Sequence, residues 1–134
     1  MLAFAIVLAL AATADGLATE ADYDLVTTGT TAQVNTGREG TYALSIVPKN
    51  GFKVSEDTPL SIALMSDDGL QISQPKVGRK EMIDAKAKAP SWKVAFTGTK
   101  PGAHDIKAEL LFFLCSDKLC QRMNASKAVA ITVK

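Results

Sequence analysis

The feature that most constrains this chain is a two-residue alternation of apolar side chains that recurs between turn signals. Tyr42, Leu44 and Ile46 alternate with Ala43, Ser45 and Val47, and residues 48–51, Pro-Lys-Asn-Gly, then supply turn chemistry. Asn-Gly favours positive φ and so marks a tight reversal. Leu60, Ile62 and Leu64 form the next alternating set, closed by Ser66, Asp67, Asp68 and Gly69. Trp92, Val94 and Phe96 follow, then a Lys100-Pro101-Gly102 turn, then Ile106, Ala108, Leu110, Phe112 and Leu114. Val129, Ile131 and Val133 make a further set. A period of two places alternate side chains on opposite faces of a strand. Short strands at this spacing predict an all-β fold, an antiparallel immunoglobulin-like β-sandwich. The expected core is Tyr42, Leu44, Ile46, Leu60, Ile62, Leu64, Trp92, Val94, Phe96, Ile106, Leu110, Phe112, Val129, Ile131 and Val133.

Residues 1–12 are an unbroken apolar run, and Ala12-Thr13-Ala14 is a small-x-small cleavage pattern. All 15 basic and 14 acidic side chains come after it. Residues 1–14 therefore read as a secretory signal peptide, although no Lys or Arg precedes the apolar run. A run this short falls below the ~20 apolar residues that a membrane-crossing helix needs. The expected organisation is a signal peptide over 1–14, a flexible lead over 15–29 and one sandwich domain over 30–134. Export places the chain in the periplasm or outside the cell, not spanning a membrane after cleavage. The net charge of +1 supplies no global field that would recruit nucleic acid or a membrane surface.

Residues 76–90 fit the alternation less well. They carry five basic and two acidic residues around Met82, Ile83 and three alanines. An edge strand followed by a loop is expected here, because edge lysines discourage sheet-to-sheet aggregation.

Cys115 and Cys120 are the only two cysteines, and Ser116, Asp117, Lys118 and Leu119 separate them. They follow an apolar strand, so a tight turn would bring Cys120 back beside Cys115. Three uses are open. A hairpin disulfide would be a local staple worth only about 2 kcal/mol on the chain-entropy model. A redox pair would draw on Lys118 and Arg122, whose charge favours thiolate, against Asp117, which opposes it. A soft metal site would take Cys115, Cys120 and Met123 as ligands for Cu(I). Met123 reads more simply as a half-buried loop residue. His104, the single histidine, reads as a plain exposed side chain in a turn. No metal or cofactor is expected. Asn124-Ala125-Ser126 matches a glycosylation sequon. Glu56-Asp57 and Asp67-Asp68 read as solvated turns, since a calcium site wants more oxygen ligands at regular spacing.

The segment from Phe113 through Cys115 to Cys120, with a following Ala/Val/Ile strand, resembles the amino-terminal immunoglobulin-like domain of DsbD-type thiol-disulfide interchange proteins. The early stretch Gly40-Thr41-Tyr42, then Gly51-Phe52-Lys53-Val54 and Pro59-Leu60, is also similar. The resemblance covers residues 30–134. It implies that Cys115 and Cys120 form a redox pair that passes electrons to a thioredoxin-like partner, with Phe52 a candidate for the family's aromatic cap. It departs from the family at Gln121-Arg122-Met123, where prolines usually follow the second cysteine. Two functions follow. One is a non-catalytic protein-binding module of the envelope with a Cys115–Cys120 staple. The other is a thiol-disulfide exchange domain, in which exposure after the turn favours attack at Cys120.

Overall fold

The computed structural model describes residues 17–134. The signal peptide expected over residues 1–14 lies outside the described residues. Among the described residues ten strands follow one another: β1 Tyr23–Val26, β2 Gln33–Val34, β3 Glu39–Pro48, β4 Lys53–Val54, β5 Ser61–Met65, β6 Leu70–Ile72, β7 Lys76–Gly78, β8 Ser91–Gly98, β9 Gly102–Cys115 and β10 Cys120–Val133. They build an immunoglobulin-like β-sandwich. One sheet has the order β1-β3-β8-β6. The other has the order β2-β10-β9-β5-β7, and β4 also pairs with β9, beyond the end of β5. Every pairing is antiparallel except β2 with β10, which is parallel and holds only two residue pairs, Thr132 with Gln33 and Val133 with Val34.

The alternation along each strand becomes the burial pattern. Fourteen of the fifteen expected core residues are buried, and Val129 is half-buried against the same cluster. Trp92, Tyr42, Phe96 and Phe112 are the largest side chains at the centre. The Trp92 indole N–H donates to the Gly78 carbonyl at 2.9 Å. This bond runs from β8 in one sheet to the end of β7 in the other, so it ties the two layers together as well as satisfying a buried donor. The Tyr42 hydroxyl has no partner among the described residues, and burial pushes its pKa up to about 12.

Asn50 and Gly51 both take positive φ, +58° and +82°, as the Asn-Gly pair requires. The turn they make does not join neighbours in one sheet. It carries the chain from β3 in the first sheet to β4 in the second. Most other connections also switch sheets, and β9 with β10 is the one long hairpin built within a sheet.

Three expectations need correction. The stretch 15–29 is not a free lead over its described part. Thr19 and Asp22 cap a 3-10 turn at Glu20–Asp22, and β1 then pairs with β3. The cause is a set of contacts that reach far along the chain. Tyr23 packs edge-on against Phe112 with ring centroids 5.1 Å apart, and the Asn50 amide donates to the Asp22 carboxylate at 2.9 Å. That bond is the main reason the Asp22 pKa is lowered. The edge strand expected within residues 76–90 is present at the outer end of its sheet but spans only Lys76–Gly78. A 3-10 turn at Arg79–Glu81 ends it, and the Lys-Ala alternation at 86–89 lies in a loop. Met123 is not a loop residue. It lies on β10, faces inward and is buried.

Candidate functional site

The β9–β10 ladder sets the geometry of the cysteine pair. It runs in constant register for 14 residues on each strand, from Gly102 opposite Val133 to Cys115 opposite Cys120. The two cysteines are therefore directly cross-strand at the neck of the hairpin, with Cα atoms 3.9 Å apart, and they are joined as a disulfide. The Ser116 N–H donates to the Leu119 carbonyl at 2.8 Å and closes the turn between them. The Ser116 hydroxyl accepts from the N–H groups of Lys118 and Leu119 at 3.3 and 3.2 Å. A serine at the first turn position thus shapes the loop that lets the two sulfurs meet. Cys115 is half-buried and Cys120 is exposed.

The bridge forms part of the wall of a groove of about 880 Å3 at this end of the sandwich. Pro48 at the end of β3, Phe52 after the Asn-Gly turn and Val54 on β4 give it apolar surface. Lys53 sits opposite Cys115 in the β4–β9 register. The loop 55–57 forms one side and the loop 86–89 another. Each loop has its own anchor. The Arg79 guanidinium donates to the carbonyls of Ser55 at 2.5 Å and of Thr58, from Nε, at 3.0 Å. The Asp84 carboxylate accepts from the Lys86 N–H at 2.9 Å, and Ile83 and Ser91 bond through their backbones at 2.9 Å. The groove carries both signs of charge, with Lys53, Lys86 and Lys88 against Glu56 and Asp57.

Of the residues that the sequence singled out, Cys115, Cys120 and Phe52 come together here. The acidic pair Glu56-Asp57 joins them on the rim. Lys118 and Arg122 flank the bridge in the chain but do not line the groove. Met123 does not join the cysteines as a ligand, because its thioether is buried in the core and both thiols are consumed in the bridge. Among the described residues, no three of His, Cys, Asp and Glu lie together as a metal-binding group. Sequence reasoning missed Arg79 and the loop 86–89 as groove-forming parts. Their only sequence signal is the basic, turn-rich composition of residues 76–90, which carries no information about where that segment packs.

His104 departs most from expectation. It is not a plain exposed histidine, since its side chain is only 11% exposed. It occupies an inward-facing position of β9, in line with Ile106 and Ala108, where the sandwich ends. Nδ1 lies 2.8 Å from one Asp67 carboxylate oxygen, and Nε2 lies 2.8 Å from the Lys100 carbonyl. The Asp67 contact above all, then the Lys100 carbonyl, raises the histidine pKa above its ordinary value. The same contact lowers that of Asp67. Asp67 also accepts from the Gly69 N–H at 2.7 Å, so the histidine latches the β5–β6 turn to the end of the long hairpin. This latch lies far along β9 from the cysteines and is structural.

No protein-family model matches this chain, and no curated protein sequence matches it. Solved structures with similar architecture include domains 4 and 5 of the S-layer protein SbsC, at 14% identity and a TM-score of 0.46. The match covers 82% of this chain, which spans half the length of that structure. A conjugative transposon lipoprotein from Bacteroides eggerthii is similar at 9% identity and a TM-score of 0.44, with 78% of this chain and 95% of that one covered. AggA, the major subunit of aggregative adherence fimbriae type I from Escherichia coli, is similar at 9% identity and a TM-score of 0.44, covering 84% and 94% of the two chains. None of these similarities assigns an activity to this chain.

Proposed function

We propose that this chain is an exported, non-catalytic protein-binding module of the cell envelope, with the Cys115–Cys120 disulfide as a structural staple beside its binding groove. The observation that carries this is the position of the bridge. It closes the neck of a hairpin already held by a continuous ladder, and it lines a groove with apolar and mixed-charge walls built by three separate segments. A surface of that kind suits a protein segment better than a small molecule held by a few convergent polar groups. The export signal read in residues 1–14 places the module where a disulfide persists.

The test is a photo-crosslinking residue at Ala87, on the groove wall, compared with one at Gln71 in the other sheet. The expected result is an adduct from Ala87 alone that survives Cys115→Ser with Cys120→Ser. Loss of the adduct in the double variant, with the circular dichroism spectrum unchanged, would overturn the non-catalytic reading.

A second reading is favoured by the exposure of Cys120 beside Phe52. In it the pair cycles between disulfide and dithiol, as the DsbD-type resemblance implies. The thiolate of a thioredoxin-like partner attacks one sulfur and forms a mixed disulfide. The other cysteine leaves as thiolate, and a second thiol of the partner then attacks the mixed disulfide, leaving Cys115 and Cys120 as a dithiol and the partner as a disulfide. Titration against a thiol redox buffer separates the two readings. A potential below about −300 mV marks a bridge that the thiol pool cannot reduce. A higher potential, with a trapped mixed disulfide in Cys120→Ser or Cys115→Ser, supports exchange.

A further inference from the structure

A second surface, on the other side of the hairpin, is unfinished. β10 pairs with β9 along its whole length, but on its outer side β2 covers only Thr132 and Val133. The Thr132 N–H points outward and donates to the Ala32 carbonyl at 2.8 Å. In an unbroken antiparallel ladder, alternate residues aim their backbone groups the same way. Cys120, Arg122, Asn124, Ser126, Ala128 and Ala130 therefore direct their N–H and C=O groups to the same free edge, and all six are exposed. Among the described residues none of these groups has a partner across that edge. A groove of about 620 Å3 runs beside it, between β10 and β1, with Tyr23, Leu25, Leu110 and Ala125 among its lining residues.

The charges on this edge are of one sign. Arg122 lies on the outer face of the sheet. Lys127 shares its parity with Met123 and Ile131, so it faces inward and lines the groove. Among the described residues neither is in an ion pair, whereas nearby Asp24 is paired to Lys49 at 3.0 Å and Glu109 to Lys107 at 3.6 Å. Glu20, at the lip, is the one lining carboxylate outside these pairs among the described residues. A second copy of the chain would bring the same two cations to the edge, and an inward-facing lysine is a usual guard against such self-pairing. An incoming strand with carboxylates at the positions opposite Arg122 and Lys127 would neutralise both.

We propose that the free edge of β10 accepts an extended acidic segment of another protein as an added strand. Backbone bonds to residues 120–130 hold it, and its inward side chains alternate between an acid at Lys127 and apolar groups over Leu25, Leu110 and Ala125. Main-chain bonds supply affinity in this mode and alternate side chains supply selectivity. The surface is distinct from the groove beside the disulfide, so either assignment can fail without the other.

The test uses the purified chain and three synthetic peptides: a valine-threonine strand with two glutamates five positions apart, so that one meets Arg122 on the outer face and the other Lys127 on the inner face, the same strand with lysines in place of the glutamates, and the glutamate peptide with proline at every third position. Fluorescence anisotropy reads binding, and amide hydrogen exchange reads its location. The expected result is binding of the glutamate peptide alone, weakened by salt, with new protection at Arg122, Asn124, Ser126 and Ala128. Arg122→Glu with Lys127→Glu should weaken that peptide by at least about tenfold, on the scale of two exposed ion pairs turned repulsive, and should admit the lysine peptide. Ser126→Pro should abolish binding while keeping the fold, because that N–H is not used in the β9 ladder; if it unfolds the domain, the charge reversal decides alone. Equal binding of the acidic and basic peptides, or protection confined to other strands, would overturn the proposal. So would a dimer in sedimentation, or full protection of those amides in the free chain, since either means that the edge is already occupied.

Discussion

Removal of the disulfide separates a staple from a functional pair most directly, and its cost can be worked from the structure. The bridge spans a sequence separation of 5. For a ring of about six residues, the chain-entropy relation gives roughly 7 cal/mol/K, or about 2 kcal/mol near room temperature. Cys115 and Cys120 lie at the end of the β9–β10 ladder, and the core buries neither of them fully. Serine at both positions therefore adds little packing loss to that figure. For a domain of this size the melting temperature should fall by about 6–10 °C. Urea unfolding of the wild type, the reduced wild type and Cys115→Ser with Cys120→Ser measures it, and the two modified forms should agree. A loss near zero would refute the reasoning, because the bridge would then do nothing for stability. A loss above about 4 kcal/mol, outside what so small a ring can supply, would refute it too and would mean that the hairpin end organises the core.

Phe112→Ala removes a fully buried ring that also contacts Tyr23, and should cost about 3–5 kcal/mol by chemical denaturation. It should also loosen β1, seen as faster amide exchange at residues 23–26. Gly40→Ala would place a methyl group 2.6 Å from the Phe96 ring and 2.9 Å from Val34. The overpacking should cost about 1–3 kcal/mol, and partial recovery in Gly40→Ala with Phe96→Leu would confirm the cause. The His104–Asp67 latch makes stability pH-dependent. The histidine's share is full below its unfolded value of 6.5 and is lost as pH rises through its higher folded value. The aspartate's share is full above 3.8 and is lost as pH falls through its lower folded value. The gap in stability between wild type and His104→Gln should therefore be widest between about pH 4 and 6.5, the ordinary carboxylate-to-imidazole interval, and should narrow on the alkaline side. A gap that stays constant with pH would refute the charged pair. Gly69→Ala should abolish the same pH dependence, because its methyl group would lie 1.9 Å from the histidine ring and displace it.

What is local in this protein was legible from its residues alone. Which side chains of a strand face inward follows from the pleat, so the alternation at Tyr42, Leu44 and Ile46, or at Ile106, Leu110 and Phe112, was enough to name most of the core. The Asn50-Gly51 reversal and the closure of Cys115 onto Cys120 are local as well, because each depends on a handful of adjacent residues. Sheet membership is not local. Nothing in the alternation says that β3 and β4 belong to different layers, or that β2 runs parallel to β10 and stops after two residues, leaving an edge. The same limit hid β1, whose four residues read as a lead until Phe112 and Asn50 held them in place. It hid Met123, whose polar flanks Arg122 and Asn124 resemble a loop but sit on an exposed strand edge. It hid His104 as well, because a histidine beside a Pro-Gly turn acquires its carboxylate partner from Asp67, which lies 37 residues away in the chain. Contacts of that range arise only when the two sheets close on each other, so tertiary structure alone decided the groove, the latch and the open edge.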